Sequence, residues 1–487
     1  MKNIDDLVRL VTRYSINAKP FISKSKEPTK INQLFNEYSK GLYSKQKEAK
    51  LRMQSAAYRK LKSRLGEQLL KVVMTGDVNK MIRNNYDRQY IKALRNNMIA
   101  NILFLNYGKR AASELLMKNV LTAESHHFTD VNINAYRLLK YHSALSGNRR
   151  LHDAFGKKLY QQIKQLESEI IIEDFTHQIV LELHHTESIT PDKAKLFLKR
   201  EKEINYLAST YPSRTNFLNS CRYGVHLMEH FRRHKDVIAI CNKAEKYFTK
   251  NAKLYQDARI GEFALYKLNS CLRLQNLKLG EKCATECERI FYKRTDNWYI
   301  YLEYYFLLCM HTENYSKAHE IYHLVEADER YLRNNLIRLE KWRIFEAFLH
   351  FVYPRSMSRF NVYKFINEVP LHASDKSGFN LSILIAQIVS LVSIHRYDEI
   401  VEKSDALHIY CRRYIRIKEK HRTYYFMKML QVMIKYSFEP KKTEQIAAKF
   451  FNLLAAKDKK GKVLEEIEVI PYETLWRCIL DRLKASN

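Results

Sequence analysis

Turn-forming residues interrupt this chain at intervals of about 40 positions, and a fixed interval of roughly 20–50 residues marks stacked structural repeats. The breaks fall near Gly66, Asn106–Gly108, Ser146–Asn148, Glu187–Thr190, His234–Lys235, Gln275–Asn276, Glu313–Asn314, Pro354, His395–Arg396 and Glu439–Pro440. Apolar residues on either side follow helical spacing. Before Ser146 they are Val131, Ala135 and Leu138, with His142 one turn on; after it they are Leu159, Ile163, Leu166 and Ile170. Each break therefore reads as the turn inside a helical hairpin, with a longer helix before it and a shorter one after. A small residue soon follows many of the turns, at Ala111, Ala112, Ala154, Ala194, Ala239, Gly280, Ala318 and Ala447, where it lets the second helix approach the first.

Composition agrees with helices. The chain holds 11 Gly and 8 Pro in 487 residues, where average usage would give about 34 and 24. Sheets need both residues for many tight turns, and no stretch alternates like a strand. The expected fold is all-α: a right-handed superhelix, or solenoid, of stacked antiparallel helical hairpins. Residues 1–75 read as a basic helical segment with a linker near 15–30, residues 76–456 as the solenoid, and 457–487 as a C-terminal capping helix.

The stretch Asn314-Tyr315-Ser316-Lys317-Ala318 through Ile321-Tyr322 resembles the turn and second helix of a tetratricopeptide-like repeat, with echoes at Val237–Phe248 and Tyr397–Tyr410. The resemblance spans residues 130–456. The W-x-x-L-G-x-x-Y pattern is absent and the period exceeds the usual ~34 residues. The resemblance implies a concave surface that binds a protein or peptide, and no catalysis.

Net charge is +31, and residues 1–110 carry 24 Lys+Arg against 8 Asp+Glu. The sharpest basic feature is a predicted helix bearing Lys45, Lys47, Lys50, Arg52, Arg59, Lys60, Lys62 and Arg64. Lys45, Arg52 and Arg59 lie seven apart and share a face suited to phosphates. Base stacking would need exposed aromatic rings nearby; Tyr43 and Tyr58 are the neighbours, and Tyr58 falls in the apolar stripe. A second candidate is the aromatic run of Trp298, Tyr301 and Tyr305, which would either line a partner groove or pack between hairpins.

Other constellations point to structure. His126–His127 and His184–His185 are adjacent pairs that splay about 100° apart on a helix, and H-E-x-x-H is absent. Cys283 and Cys287 lie one turn apart with no second ligand pair, so the cysteines, all after residue 220, read as buried thiols in a reducing compartment. Asp192, Glu201 and Glu203 lack the strand setting of a nuclease site. No phosphate loop, dinucleotide fingerprint or nucleophile elbow occurs. The expected cofactor and metal complement is none. No signal peptide is visible, and the most apolar stretch, Leu381–Ile394, is short of the ~20 residues that span a bilayer; it reads as a buried helix in a cytoplasmic protein. The function expected is a non-catalytic scaffold binding a partner on its concave face; the alternative is an adaptor that binds nucleic acid or a ribonucleoprotein through the basic helix.

Overall fold

A computed structural model of the chain describes residues 4–13, 30–39, 56–185, 190–333, 335–354, 360–369, 379–403, 405, 407–408, 422–455 and 468–485. Among these residues the regular structure is helical and no strand occurs. The helices are α1 (Ile4–Arg13), α2 (Lys30–Ser39), α3 (Ala56–Thr75), α4 (Val78–Met81), α5 (Asn85–Leu105), α6 (Lys109–Ser125), α7 (Thr129–Leu145) and α8 (Arg149–His185). There follow α9 (Pro191–Thr210), α10 (Arg214–His230), α11 (His234–Lys250), α12 (Asp257–Arg273), α13 (Leu277–Ile290), α14 (Asp296–His311) and α15 (Tyr315–Glu326). The rest are α16 (Glu329–Arg333), α17 (Leu336–Val352), α18 (Val362–Glu368), α19 (Phe379–Ser393), α20 (Tyr397–Glu402), α21 (Arg422–Lys435), α22 (Pro440–Ala455) and α23 (Tyr472–Ala485).

One turn construction recurs. A residue takes the left-handed conformation at Tyr107 (φ 63°), His127 (58°), Gly147 (69°), Arg232 (55°), Gln275 (56°), Glu313 (59°) and His395 (57°). The N–H of the next residue then donates back into the last turn of the helix: Gly108 to the Leu103 carbonyl at 2.8 Å, Phe128 to Ala123 at 2.8 Å, Arg233 to Met228 at 2.8 Å and Asn314 to Cys309 at 2.9 Å. This bond pattern satisfies carbonyls that a helix end leaves open. Where the next residue is Asn, its side chain also caps the following helix: the Oδ1 atoms of Asn148, Asn276 and Asn314 accept from the N–H groups of Leu151, Leu279 and Lys317. Five positions beyond the left-handed residue, the chain has turned inward at Ala112, Asn132, Val237, Gly280, Ala318 and Ile400, all buried. A Cβ on Gly280 would stand 3.1 Å from Leu308 Cδ1, tighter than an ordinary van der Waals contact, so glycine suits this close approach.

Three expectations need correction. Gly66 is no break; it is buried inside α3. The hairpin at Ser146 reverses the expected lengths, since α7 has 17 residues and α8 has 37. Ala111, Ala154 and Ala239, expected to ease the approach of paired helices, are exposed.

The chain divides into two compact units. The first comprises Met1–Gln178, Leu198–Ser220 and Phe248–Asp257. Within it, α1, α2 and α3 share a core of Ile4, Val8, Val11, Leu34, Leu65 and Leu69. Helices α5 to α8 pack around Ala112, Leu116, Ala135, Tyr136 and Leu139. Asparagines thread this stack: Asn97 donates to the Val131 carbonyl at 2.9 Å, and Asn119 donates to the Ala93 carbonyl at 2.9 Å and to Asn97 Oδ1 at 3.0 Å. Arg214 ties remote segments together. Its buried guanidinium lies 3.9 Å from the Tyr86 ring centre and donates to the Leu254 carbonyl at 3.0 Å and to Gln256 Oε1 at 2.8 Å.

The second unit comprises Ile179–Phe197, Cys221–Tyr247 and Ala258–Asn487. Helix α19 is buried along Leu381–Val392, which accounts for its largely apolar sequence. At the C-terminal end, Arg422 donates to Glu468 at 2.6 Å and to Glu473, while Glu468 Oε1 also accepts the Tyr472 N–H at 2.8 Å. The apolar face of α23 (Leu475, Trp476, Ile479 and Leu483) is buried.

Candidate functional site

The two sequence-derived sets fare differently. Lys45, Lys47, Lys50 and Arg52 lie outside the described residues. Arg59, Lys60 and Arg64 are exposed on α3, and Lys62 Nζ stands 5.9 Å from the Tyr38 ring centre. Tyr58 is half-buried against the first unit's N-terminal core, so it presents no open stacking face beside these cations. In the second unit, Trp298 and Tyr301 are only 6% and 2% exposed, and Tyr305 is half-buried with its ring stacked 5.8 Å from Tyr301. Two of the three rings named as partner anchors are therefore enclosed by the core of α14 and its neighbours. Burial also pushes the Tyr301 phenol above its usual pKa.

The histidines and cysteines have structural partners. His126 stacks 5.3 Å from Phe128, and His127 Nδ1 accepts the Arg214 backbone N–H at 3.0 Å. Burial, with the Arg214 charge nearby, lowers the His127 pKa. The side chains of His184 and His185 lie outside the described residues. Cys283 and Cys287 are buried thiols, and no group of His, Cys, Asp or Glu among the described residues is arranged to hold a metal ion. Asp192, Glu201 and Glu203 sit on one helix, α9, with Asp192 and Glu203 exposed.

One open concavity lies in the first unit, between α6 and α8 with α7 beneath. Tight turns at Tyr107, His127 and Gly147 make α5 to α8 run alternately up and down, so α6 and α8 are parallel second helices of successive hairpins. The groove between them has a volume of about 700 Å³ and is lined by Met117, Val120 and Leu121 of α6, Tyr136 of α7, and Phe155 and Lys158 of α8. Met117 is 46% and Leu121 69% exposed, an unusual state for adjacent large apolar side chains. One rim is fixed by Glu124, which accepts from the Tyr136 hydroxyl at 2.6 Å and from Lys158 Nζ at 2.9 Å. Burial alone would raise the Glu124 pKa, but these two hydrogen bonds hold it below the ordinary carboxylate value, while burial and the same bond raise that of Tyr136. The rim is thus a charged, pre-formed edge beside an apolar floor, suited to gripping apolar side chains.

The groove's neighbours repeat the theme. Helix α5 exposes Leu94, Met98, Ile102 and Leu105 along one face. Helix α8 inverts the expected pattern. Ile163 and Ile170, expected in the core, are exposed, while Gln162, Ser168, Glu169 and Thr176 are buried. The buried row holds because its polar atoms are paired: Glu169 accepts from Thr129 at 2.9 Å, and Ser168 Oγ accepts from Asn216 at 3.0 Å. The sequence did hold a signal for the groove. Met117 and Leu121 lie one turn apart beside the core row Ala112, Leu116, Val120 and Ala123, so α6 is apolar over too wide an arc for a helix buried on one side.

The chain matches no protein-family model, and comparison with curated proteins and with solved structures found no match.

Proposed function

We propose that this protein is a non-catalytic interaction scaffold, a solenoid of helical hairpins that holds a partner protein through exposed apolar faces of its first unit. The single observation that carries the reading is the open α6–α8 groove, whose floor leaves Met117 and Leu121 unpartnered. The solenoid reading draws support from side-chain bonds that recur 40 residues apart within each unit: Tyr90 to Asp130, Thr129 to Glu169, Arg222 to Glu262 and Asn269 to Glu229. Equivalent positions of neighbouring repeats meet at one repeat length. We place the contact on the second helices α6 and α8 rather than on a concave face. The occupant is a protein segment with apolar side chains for the floor and acidic flanks. Arg110, Lys118 and Lys157 are exposed along α6 and α8 with no ion-pair partner among the described residues, and the whole chain carries +31.

A photo-crosslinking side chain placed at Leu121, in the cells that make the protein, tests this. It should give a discrete, nuclease-resistant protein adduct that the same probe at exposed Glu203 does not give. Met117→Asp with Leu121→Asp should abolish the adduct formed from a probe at Phe155, with the melting temperature within about 2 °C of the parent. Equal adducts at Leu121 and Glu203, or adducts that vanish with nuclease, would sink the reading.

The alternative, polyanion binding, is favoured by the row Arg59, Lys60 and Arg64 on α3, exposed and without ion pairs among the described residues. It requires the affinity for a duplex oligonucleotide to fall linearly in log–log form with salt. Reversal of all three charges should remove binding, and unchanged affinity would dispose of this alternative.

A further inference from the structure

Helix α8 carries a second exposed feature, on the side away from the groove. Tyr160, Ile163 and Ile170 are 64%, 41% and 50% exposed and fall on one face. They cannot turn inward. The opposite face is committed to the core through Gln162, Glu169, Ile172 and Thr176, and rotation would strand the bonded Glu169 carboxylate. Charge divides along the same helix. Between residues 149 and 164 it bears Arg149, Arg150, Lys157, Lys158 and Lys164 against Asp153; between 167 and 178 it bears Glu167, Glu173 and Asp174, with the partly exposed His177. Some of these charges are spent locally: Lys158 on Glu124 at 2.9 Å, Lys164 on Glu167 at 3.0 Å, and Arg149 on Asp153 at 4.0 Å. Arg150, Lys157 and Asp174 have no ion-pair partner among the described residues.

We infer that this face of α8 is a homodimer contact, in which α8 packs antiparallel against α8 of a second copy of the chain. An apolar stripe at the border between a basic and an acidic half is complementary to itself in that orientation alone. Antiparallel pairing sets each basic half against the other copy's acidic half, whereas parallel pairing opposes like charges along the whole contact. The arrangement is isologous, so it closes at two copies and leaves no free surface to propagate. The contact covers only a few turns of one helix, smaller than a standard interface of ~800 Å² per partner, and so belongs with weak, reversible associations. Its apolar stripe is separate from the groove floor, which uses Ala154, Phe155 and Lys158 on the other side of α8, and Lys157 alone is shared by the margins of the two surfaces.

Sedimentation velocity on the full chain at low salt tests this inference. The expected result is a monomer–dimer equilibrium that moves with concentration across the micromolar range and weakens with added salt. Ile163→Lys with Ile170→Lys should give monomer throughout, with unchanged helical circular dichroism, because both side chains are exposed in the folded chain. A charge-block pair fixes the orientation. The first variant combines Arg150→Glu, Lys157→Glu and Lys164→Glu; the second combines Glu167→Lys, Glu173→Lys and Asp174→Lys. Each alone should dimerise at least about tenfold more weakly than the parent, a mixture of the two should form a heterodimer, and one chain carrying all six changes should dimerise again. The inference is overturned by a parent that stays monomeric, by assembly beyond two copies, by dimerisation that survives the stripe variant, or by a charge block that alone dimerises as strongly as the parent.

Discussion

At Tyr107 the backbone takes φ 63° while carrying a large side chain that is almost wholly solvated. The left-handed conformation brings Cβ against the following carbonyl and costs a non-glycine residue about 1 kcal/mol or more. The ring makes no compensating burial, so the turn is held by its neighbours: the Gly108 N–H bonded to the Leu103 carbonyl, and the helices packed on either side. Tyr107→Gly should therefore raise the free energy of unfolding by about 0.5–1 kcal/mol, part of the relief being offset by the freedom glycine gains in the unfolded chain. Gly147→Ala should move it the other way by about 1 kcal/mol, since φ there is 69° and a Cβ would meet nothing within 4 Å, leaving backbone strain as the sole effect. Urea denaturation of the two variants checks both signs, and a stabilised Gly147→Ala would contradict the account of the turns. The same chemistry limited what could be read in advance. The turn at His127 uses His-His-Phe where a reader looks for Gly, Pro or Asn, so α6 and α7 offered no break between them.

At the scale of an element, α8 separates periodicity from burial. Its isoleucines fit a helical repeat that nominates Ile163 and Ile170 as core, yet the inward face is set by hydrogen-bonded Gln162, Ser168, Glu169 and Thr176 together with Ile172. Apolar period identifies a helix, but it gives the wrong face when a helix has two sets of contacts to serve. Two residues apart, the consequences differ sharply. Ile172→Ala removes a side chain with no exposure and should destabilise by about 2–4 kcal/mol. Ile170→Ala, measured where the chain is monomeric, should stay within about 0.5 kcal/mol. Similar losses for both would mean that α8 is turned the other way. The hairpin turns at Asn106–Gly108, Gln275–Asn276, Glu313–Asn314 and His395–Arg396 were legible because their turn residues also end one helix and open the next. The groove was half legible, in the over-wide apolar arc of α6. Its Glu124–Tyr136–Lys158 rim was not, because those residues lie far apart in sequence and meet only through tertiary packing.

Across the whole molecule, the response to acid should be led in the second unit by two histidines that the fold keeps neutral, His234 and His311, ahead of His230 and His350, whose pKa values burial also lowers. Burial, reinforced by Arg273 and Arg232, lowers the His234 pKa to about 4; burial, with Arg273 and Arg422 nearby, likewise lowers that of His311 to about 4, despite its bond to a backbone carbonyl. The ring N–H of His311 at Nε2 donates to the Glu468 carbonyl at 2.8 Å. Neither ring's Nδ1 has a hydrogen-bond partner among the described residues, so a second proton would be held beside arginines with nothing to accept it. The unfolded chain takes up these protons first, near the ordinary value of 6.5, and the folded chain only near 4. Stability from both rings is therefore fully present above about pH 6.5 and is lost progressively as pH falls toward 4. For each ring the loss approaches about 3 kcal/mol as an upper bound. Urea midpoints at a series of pH values for the parent and for His234→Gln with His311→Gln isolate this contribution from that of the carboxylates, which both proteins share. The variant's curve should be the flatter of the two between pH 6.5 and 4, although its stability at neutral pH is lower. Parallel curves would mean that these rings titrate alike in the folded and unfolded chain.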